Sequence, residues 1–551
     1  MNTISIPNDV ELILDKIENA GYEAYVVGGC VRDSLLNKVP HDWDITTSAL
    51  PEDIERIFNK FRIIETGLKH GTVTVVLNNE GYEITTYRID GDYSDGRHPD
   101  TVKFSKKLCD DLSRRDFTMN AIAFNPNVGF VDPFDGRRDI ENKVVRCVGN
   151  PKTRFNEDAL RILRTIRFAC QLNFDIEQDT SNCLDSSDVV AKLLMVSRER
   201  VQQELMKMIV TDVFPDYLET YTNVFFEIIP ELRSLLGFNQ FNRYHCFDVF
   251  HHTVESLRHC IDDPVVKLAL LFHDIGKPNC FQQDMDGTRH FKGHPAVSAN
   301  IALDVLKRLR FDNDTINKVV ELVKYHDISL EPSKSVLKKR LNRFGEEQLT
   351  RLFDVRRADI MAQSHMFMNK RLDESEQSRA LAQEILKEEC CFKISNLKIN
   401  GSDLLNLGYP PCKALGDKLN EILDKVINEE LPNERDVLLA YANNKNEIRT
   451  LQVIDKLIKH GVNKNAITKD GDDRILIRNI DEILFKDEPK LNCEYFYHPD
   501  FGKNLVKKQS FCFVIHPSYG TLLADEVFLP GSVIEKNFNK LSCILNDILS
   551  K

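Results

Sequence analysis

The first 136 residues alternate between helical and strand-like hydrophobic patterns. Residues 25–27 form a short apolar run that ends in two glycines, and residues 72–77 form a β-branched run. Residues 82–88 alternate between polar and apolar positions, which predicts a strand with one buried face. The polar stretch 91–99 contains glycine and proline and predicts a loop. These patterns predict an α/β domain over residues 1–136.

The rest of the chain is mainly helical up to about residue 445. A turn signal at Pro133–Gly136 ends the α/β pattern, and helical periodicity follows it. Three all-α domains are expected, at residues 137–215, 240–345 and 346–445; the first is called the neck below, the second the predicted metal-binding domain and the third the body, as the family resemblance described below implies. Residues 446–551 mix helical and strand-like segments. They predict a small α+β extension whose role the sequence does not indicate.

Composition narrows the class of protein. The chain has 551 residues and is 42% hydrophobic, enough for several domains with buried cores. No run reaches the ~18 apolar residues of a membrane span, and residues 1–21 lack the regions of a signal peptide. The 14 cysteines include no C-x-x-C pair, which argues against a zinc ribbon and a disulfide framework. We therefore expect a cytoplasmic protein without a membrane partner.

The charge distribution bears on nucleic-acid binding. The net charge of −12 excludes a non-specific nucleic-acid coat, so any RNA site must be a local basic patch. Residues 137–168 contain nine Lys or Arg against four acidic residues. On charge alone, this run is either such a patch or a solvated helix face.

The strongest chemical signal lies in residues 28–47. Gly28 and Gly29 end a predicted strand and open a helix, so backbone N–H groups there favour an anion, and Arg32 adds a guanidinium suited to phosphate. Asp42 and Asp44 are separated by one residue, so on a strand both carboxylates project from one face. Two carboxylates held so close require cations, and Mg²⁺ with substrate phosphates is the preferred solution. The pair predicts a site for two-metal phosphoryl transfer.

A second polar group lies at residues 114–120. Arg114 and Arg115 are adjacent and cannot share a face, so we expect one to bind phosphate while the other pairs locally. Asp116 and Asn120 are four residues apart and share a face if the segment is helical. They then bracket a ribose or fix an arginine. The alternative is a surface cluster of salt bridges.

A base-reading pair is expected on the predicted helix that begins near residue 156. Asp158 and Arg161 are three residues apart, so on a helix they reach one base edge together. Cytosine and adenine both present an amino donor beside a ring-nitrogen acceptor, which a carboxylate and a guanidinium recognise. An ordinary helix ion pair is the alternative. For Arg164 and Arg167, phosphate contacts and solvated surface remain equally open.

These motifs, in this order, resemble the class II tRNA nucleotidyltransferase and poly(A) polymerase family. The resemblance also covers residues 83–88, 111–121, 157–161 and 197–204, and it continues loosely to about residue 440. It implies a polymerase-β-like nucleotidyltransferase head followed by a neck, an HD domain and a tRNA-binding body. It also implies that Asp42 and Asp44 are the catalytic metal ligands. Glu83 is either a third carboxylate of the site or a solvent-facing strand residue.

The resemblance implies a reaction and its partners. Members add C, C and A to the tRNA 3′ end from CTP and ATP and release pyrophosphate, with Mg²⁺ in the head and the pair Asp158 and Arg161 as an amino-acid template. Residues 91–99 resemble the loop needed for the switch to adenosine, and residues 66–73 resemble the CCA-adding branch. A poly(A) polymerase or A-adding enzyme of the same family is the alternative. No protein partner is indicated.

A second resemblance concerns the predicted metal-binding domain. His252, His273-Asp274, His294 and His326-Asp327 resemble the HD phosphohydrolase domain. The resemblance implies His252, His273, Asp274 and Asp327 as ligands, with His294 and His326 available to a second metal. Mixed imidazole and carboxylate ligands suit Mn²⁺, Fe²⁺, Ni²⁺ or Mg²⁺. The rival hypothesis is therefore a metal-dependent phosphatase or 2′,3′-cyclic phosphodiesterase acting on RNA ends. An inert scaffold that grips tRNA is equally open for this domain.

Overall fold

The structure, a computed structural model, describes most of the chain in two compact units. The described residues are 3–64, 71–91, 101–388, 390–470, 474–479, 511–516, 521–524, 540, 543, 544 and 547. The first unit comprises Met1–Ser329 and Glu347–Glu376, and the second comprises Leu330–Glu346 and Gln377–Lys551. The stretches predicted to matter at 66–73 and 91–99 lie outside the described residues, except for 71–73 and 91.

The first unit begins with an α/β head. Its elements are α1 (Asn8–Asn19), β1 (Ala24–Val27), α2 (Gly29–Leu35), β2 (Ile45–Thr47), α3 (Pro51–Ile57), β3 (Arg62–Ile64), β4 (Thr72–Leu77), β5 (Glu80–Thr86), β6 (Arg88–Asp90), β7 (Val102–Phe104), α4 (Leu108–Ser113), a 3-10 turn (Thr118–Asn120), β8 (Ala123–Asn125), β9 (Gly129–Val131) and α5 (Gly136–Glu141). Seven strands form one sheet in the order β3-β4-β5-β2-β1-β8-β9. Only β2 and β5 run parallel within this sheet.

The hydrophobic pattern explains the central strands. All four residues of β1 are buried, as expected for a strand covered on both faces. In β5, Tyr82, Ile84 and Thr86 are buried while Glu83 between them is exposed, which confirms the predicted period of two. Tyr87 and Leu112 join the apolar cluster behind these strands. One face of the sheet edge therefore remains available for polar side chains.

Helices dominate the remainder of the first unit. They are α6 (Pro151–Glu157), α7 (Leu160–Leu172), α8 (Gln178–Leu184), α9 (Ser187–Val190), α10 (Arg198–Ile209), α11 (Phe214–Thr220), α12 (Thr222–Ile228), α13 (Val249–Arg258), α14 (Pro264–Phe272), α15 (Lys277–Cys280), α16 (His294–Arg308) and α17 (Asn313–Tyr325). Two further helices, α18 (Lys334–Met361) and α19 (His365–Lys387), contain residues of both units, and residues 347–361 and 365–376 of them belong to the first. The two-residue strands β10 (Val144–Val145) and β11 (Asp175–Ile176) pair in parallel, and β12 (Gln282–Gln283) pairs with β13 (Arg289–His290). The predicted α/β head followed by mainly helical domains is confirmed.

Aspartate caps fix several of the helices that carry candidate ligands. The Asp248 side chain accepts a hydrogen bond from the His251 N–H at the start of α13, and Asp263 accepts from two N–H groups at the start of α14. Asp312 caps α17 in the same way. Such caps satisfy helix N–H groups that otherwise lack partners, at about 1 kcal/mol each.

The second unit contains a helical body and a small sheet. Its further elements are α20 (Gly401–Asn406), α21 (Lys413–Ile427), α22 (Arg435–Ala442), α23 (Lys445–Lys459), β14 (Ile467–Asp470), β15 (Arg474–Asn479), β16 (Phe511–His516) and β17 (Thr521–Ala524). The four strands pair in chain order and are all antiparallel. This confirms the predicted mixture of helix and strand after residue 445. Among the described residues, no helix has the length and apolarity of a membrane span.

Close packing at the start of α5 gives a test of the head fold. A Cβ atom added at Gly136 would lie 2.2 Å from the Thr118 carbonyl oxygen and 2.9 Å from Ile122 Cγ1. Overpacking of this kind costs about 1–3 kcal/mol, so we expect Gly136→Ala to lower the thermal unfolding midpoint by a few degrees. Gly416→Ala in α21 is the control, because its added methyl meets no atom within 4 Å. Equal melting of the two variants would contradict this packing.

Candidate active site

A glycine turn joins the central strand β1 to α2. Gly28 has φ 86°, a conformation that favours glycine, and an added Cβ would lie 3.0 Å from Arg115 Nη1. The Gly28 N–H donates to the Ile122 carbonyl at 3.2 Å, so this amide is already satisfied. The predicted turn is confirmed. The Gly28 amide is not available to an anion, however, so the turn offers one N–H group fewer than predicted for Gly28 and Gly29 together.

Three carboxylates lie together at the start of the inner strand β2, beside this turn. Asp42 and Asp44 are exposed and lie in the extended segment just before β2, so the prediction that they belong to the strand itself is wrong. The Asp44 carbonyl accepts from Val27 N–H at 3.0 Å, which holds the segment against β1. Because Ile45 pairs with Ile84 across the parallel strands β2 and β5, the residues before them, Asp44 and Glu83, are neighbours. We call Asp42, Asp44 and Glu83 the acidic trio.

The pKa shifts show that the acidic trio shares one electrostatic field. Loss of solvation raises the pKa of Asp44, Arg115 opposes this, and the charge of Asp42 raises the pKa further. Loss of solvation also raises the pKa of Glu83, with added repulsion from Asp44 and Asp42. Of the two interpretations of Glu83, the geometry favours a member of the carboxylate group. Arg115 offsets the repulsion only in part, because the pKa of Asp44 remains raised, and a bound divalent ion would relieve the remainder.

A chain of polar contacts runs from the glycine turn to the neck helix α7. Arg32 Nη1 donates to Asn120 Oδ1 at 2.7 Å, and Asn120 Nδ2 donates to Asp116 Oδ1 at 3.0 Å. Arg164 donates to Asp116 Oδ2 through Nε at 2.9 Å and Nη2 at 2.5 Å. The pKa of Asp116 is lowered, because Arg164 and Asn120 outweigh the opposing effect of burial. The prediction that Asp116 and Asn120 fix an arginine describes this arrangement, although only a 3-10 turn lies between them.

Arg114 and Arg115 differ from the expected division of roles. Both pair with the buried Asp111, Arg114 through contacts of 3.0 and 2.7 Å and Arg115 at 3.3 Å. Burial opposes the charge of Asp111, but the two arginines lower its pKa below the ordinary value. Both arginines therefore pair locally in this structure, and the expected phosphate contact of one of them stays a prediction. Arg115 still reaches the glycine turn, next to Gly28.

The proposed base-reading pair does not lie on one helix. Asp158 stands between α6 and α7 with extended backbone, caps the Leu160 N–H at 3.0 Å and accepts from Arg200 at 2.9 Å. Arg161 pairs with Glu157 at 2.6 Å. The prediction of a shared helix face for Asp158 and Arg161 is wrong, because the helix that Asn156 was expected to begin ends at Glu157.

Arg167 has neither of the surroundings expected for it. Its side chain is buried, pairs with Glu204 at 2.8 Å and donates to Gln171 at 3.0 Å. The expectation of a solvated surface is therefore wrong for Arg167, and a phosphate contact stays a prediction.

A second constellation lies in the predicted metal-binding domain. His252 from α13 and His273 after α14 face Asp274 Oδ2 through Nε2 at 3.5 and 3.2 Å. His294 at the start of α16 and His326 after α17 face Asp274 Oδ1 through Nε2 at 3.2 and 3.8 Å. The ligand atoms of each triad lie within 4.8 Å of one another, and all five residues are buried. We call these residues the histidine cluster.

The other ring nitrogen of every histidine in the cluster faces a backbone carbonyl. Nδ1 lies 3.2 Å from the Ala362 oxygen for His252 and 2.7 Å from the Leu270 oxygen for His273. The corresponding distances are 2.8 Å for His294, to Phe291, and 2.8 Å for His326, to Val323. A carbonyl only accepts, so the proton belongs on Nδ1 and the Nε2 lone pair points inward, as in metal-ligating histidines.

The sequence analysis missed Asp359, which contacts the histidine cluster, and predicted Asp327, which lies outside both triads. Asp359 of α18 contacts His252 Nε2 through Oδ1 at 2.9 Å. No recognisable motif surrounds Asp359 in the sequence. Asp327 lines the same cleft but belongs to neither triad of ligand atoms. His245 was also missed; it packs edge-on against His252, with ring centroids 4.9 Å apart.

Three members of the histidine cluster, Asp274, His294 and His326, line a cleft of about 1000 Å³. The lining also includes cationic and aromatic side chains: Arg243, Tyr244, Arg289, Phe291, Lys292, Phe367, Lys370 and Arg371. Lys277 is buried and pairs with Asp274 Oδ2 at 2.5 Å. A cleft lined by both potential metal ligands and cationic side chains suits a phosphate ester.

Comparisons with known proteins cover most of the chain. The family described as "Poly A polymerase head domain" matches residues 24–146, and "tRNA nucleotidyltransferase domain 2 putative" matches residues 296–442. A CCA-adding enzyme from Lactobacillus helveticus is 33% identical over 434 residues, which is 78% of this chain and 95% of the relative. One from Staphylococcus epidermidis is 35% identical over 435 residues, covering 78% and 96% of the two chains.

Solved structures share the fold. The CCA-adding enzyme of Bacillus stearothermophilus, crystallised with CTP, superimposes with a TM-score of 0.55 at 25% identity, over 80% of this chain and 98% of that one. The CCA-adding enzyme of Thermotoga maritima, complexed with tRNA, gives a TM-score of 0.53 at 20% identity, over 79% and 95%. The second match speaks for the fold alone.

The raised pKa values in the acidic trio predict how metal and pH act on stability. In the folded chain the pKa values of Asp44 and Glu83 are raised above their ordinary values of 3.8 and 4.5. Both carboxyl groups therefore keep their protons to higher pH in the folded than in the unfolded chain. The folded state then holds more protons in that window, so stability falls as pH rises through it. Without divalent metal, we expect Asp44→Asn to raise the unfolding midpoint at pH 7, with a gain that narrows as the pH is lowered.

Adding Mg²⁺ at pH 7 should reverse the order of the two proteins. The wild type gains stability because the ion binds only the folded carboxylates, while Asp44→Asn gains little. Glu52→Gln, which changes an exposed carboxylate of α3, should behave like the wild type in both conditions. Thermal unfolding with and without a chelator checks this. An Asp44→Asn variant that responds to Mg²⁺ as fully as the wild type would remove the trio from consideration as a metal site.

Proposed function

The chain belongs to the family of CCA-adding enzymes, which are tRNA nucleotidyltransferases, and on that premise we propose that it adds C, C and A to the tRNA 3′ end. CTP and ATP are the proposed substrates, and pyrophosphate is the leaving group. The observation that carries this proposal is the acidic trio beside the glycine turn, in a chain that matches 95% of a CCA-adding relative. A poly(A) polymerase of the same architecture is less well supported, because the full-length relatives named above are CCA-adding enzymes.

The donor set of the acidic trio fits Mg²⁺. Asp42, Asp44 and Glu83 offer only oxygen atoms, and Arg115 offsets their mutual repulsion only in part. Hard divalent ions prefer such ligands and bind substrate phosphates at their remaining positions. When bound, the ion lowers the pKa of the attacking 3′-hydroxyl and neutralises charge on the phosphates. We assign Asp42 and Asp44 as ligands and Glu83 as a third carboxylate that supports them.

The chain's own residues hold and orient the nucleotide in this proposal. Arg32 and Arg115 flank the Gly28 turn and supply positive charge to the phosphates. Arg164, held by Asp116, faces the nucleotide from the neck helix. Nucleotidyl transfer requires no covalent enzyme intermediate, so positioning and charge stabilisation account for most of the catalysis.

Base choice requires a rearrangement at Asp158 and Arg161. The two side chains contact Arg200 and Glu157, so reading one base edge together means exchanging those partners for the base. A bidentate pair of this kind is worth about 1–3 kcal/mol of discrimination against the wrong base. Arg161 also donates to the Arg114 carbonyl at 3.0 Å, which keeps it beside the head motif. We propose that nucleotide binding draws both side chains to one edge.

We also propose a cytoplasmic location, where tRNA is matured under reducing conditions. The twelve cysteines whose side chains are described are all free thiols. This supports the location inferred from the spacing of cysteines in the sequence.

Replacing both aspartates tests the main proposal. We expect Asp42→Asn/Asp44→Asn to lower kcat by about a thousandfold or more, because both ligands of the ion lose their charge. The assay incubates the full-length protein with Mg²⁺, labelled CTP and ATP, and tRNAs that lack CCA, CA or only the final A, and then sequences the products. Glu52→Gln is the matched control and should retain full activity.

Three outcomes of that assay separate the hypotheses. Products that stop at CCA support the proposal, and long A tails point to the poly(A) branch. Unchanged extension by the double variant would refute the assignment of the trio.

A second activity is supported by the histidine cluster. We propose that it holds one or two transition-metal ions, Mn²⁺, Fe²⁺ or Ni²⁺, or Mg²⁺ at its carboxylates, and hydrolyses a phosphate monoester or cyclic phosphodiester at an RNA end. The observation that favours this is the inward orientation of four Nε2 atoms around both oxygens of Asp274. A scaffold that only grips tRNA has no need of such an arrangement. We assign Asp359 to the ligand set in addition to Asp274, and leave Asp327 to the cleft wall.

Metal content distinguishes this ligand set from the one implied by sequence. In an Asp42→Asn/Asp44→Asn background, which removes the head site, we expect His273→Ala and Asp359→Asn to lose most of the bound Mn²⁺ or Ni²⁺. Asp327→Asn should retain it, and hydrolysis of p-nitrophenyl phosphate should follow the metal content. Mass spectrometry of the dialysed proteins measures the stoichiometry. Loss of metal in Asp327→Asn but not in Asp359→Asn would restore the sequence-based ligand set.

A further inference from the structure

Phe168 of the neck helix α7 is surrounded by three arginines. The guanidinium carbons of Arg167, Arg32 and Arg164 lie 3.5, 4.9 and 5.3 Å from the centroid of its ring. Phe168 is 5% exposed, so its ring is largely removed from water. An aromatic ring attracts cations through its negative face, most strongly when both partners are desolvated. We call this ring and its three arginines the Phe168 cluster.

Carboxylates balance the charge of the Phe168 cluster one for one. Asp33 pairs with Arg32 at 2.8 Å, Asp116 with Arg164 at 2.5 Å and Glu204 with Arg167 at 2.8 Å. Ion pairing with a shared carboxylate therefore does not explain why the three arginines lie around one ring. Each arginine has its own acidic partner, and among the contacts of the described residues Phe168 is the group that all three share. Their common contact is what requires a separate explanation.

The Phe168 cluster closes a loop between the head and the neck. Arg32 comes from α2, directly after the glycine turn, while Arg164 and Phe168 come from α7. The polar chain through Asn120 and Asp116 joins Arg32 to Arg164 on one side. The ring joins the same two guanidinium groups on the other. Neither arginine can turn without breaking a contact in this loop.

This closure leaves part of Arg164 available to a ligand. Its Nε and Nη2 atoms both donate to Asp116, and its side chain remains 32% exposed. Stacking on a ring uses the flat face of a guanidinium and leaves its N–H edges for hydrogen bonds. The contacts of Arg164 with Asp116 and Phe168 therefore fix the direction in which its Nη1 atom points.

We propose that Phe168 is a positioning residue for the incoming nucleotide, which it serves by orienting Arg32 and Arg164 together. This inference rests on the proposed nucleotidyl transfer. In this role the ring acts through the two arginines and not by contact with substrate or metal: it fixes the angle between the phosphate-binding arginine of the head and the arginine of the neck. Loss of the ring should therefore weaken nucleotide binding and base selection while the chemical step remains.

The test compares Phe168→Leu, which keeps an apolar side chain but removes the ring face, with Phe168→Tyr, which restores the face. Phe155→Leu is the matched control, because Phe155 is a fully buried ring of the adjoining helix α6 with no arginine stacked on it among the described contacts. For Phe168→Leu we expect KM for CTP and ATP to rise about tenfold, the worth of one desolvated cation–π contact, with kcat within about threefold. Incorporation of UTP and GTP should rise with it.

Phe168→Tyr should return KM to within about threefold of the wild type, and Phe155→Leu should lower the unfolding midpoint without moving KM. Equal KM changes in Phe168→Leu and Phe155→Leu, or no rescue by tyrosine, would overturn the inference. Calorimetric binding of CTP to the same proteins reports on Phe168 independently of transfer. Weaker CTP binding in Phe168→Leu with no transfer by any protein would refute the proposed function and leave the positioning role standing.

Discussion

Like-charge repulsion, held in place by backbone pairing, is the constraint on which the head depends. The single parallel pairing in the sheet, between β2 and β5, sets Asp44 beside Glu83, and the short approach to β2 brings Asp42 to the same edge. The cost of this arrangement is borne by the surrounding sheet, whose central strand β1 is buried on both faces. Carboxylates held this close destabilise the fold, and in the proposed function a divalent ion and a nucleotide would offset that cost.

The helical part of the first unit solves the opposite problem. Four imidazoles surround one carboxylate, and each ring is oriented by a carbonyl at the end of a helix or turn rather than by another side chain. Backbone carbonyls move little, so the lone pairs are aimed before any ligand arrives. The two centres therefore use different means of preorganisation, electrostatic stress in the head and fixed tautomers in the cluster.

Sequence patterns predicted most of the fold and the location of both centres, and the misses have physical causes. Period-two alternation identified β5, and the D-x-D pair with the histidine motifs identified the candidate ligands. Asp359 was missed because it lies more than eighty residues from the Asp274 motif and approaches its partners only through tertiary packing. The Asp158 face was misjudged because Asn150 and Pro151 start a separate helix that ends at Glu157. Local periodicity does not reveal such a break when both halves are helical.

Asp274 is common to both triads of the histidine cluster, with one oxygen turned toward each pair of imidazoles. If the two triads held two metal ions, Asp274 would supply a ligand atom to each of them. The affinities of both positions would then depend on this one side chain, so a substitution of Asp274 would change both together.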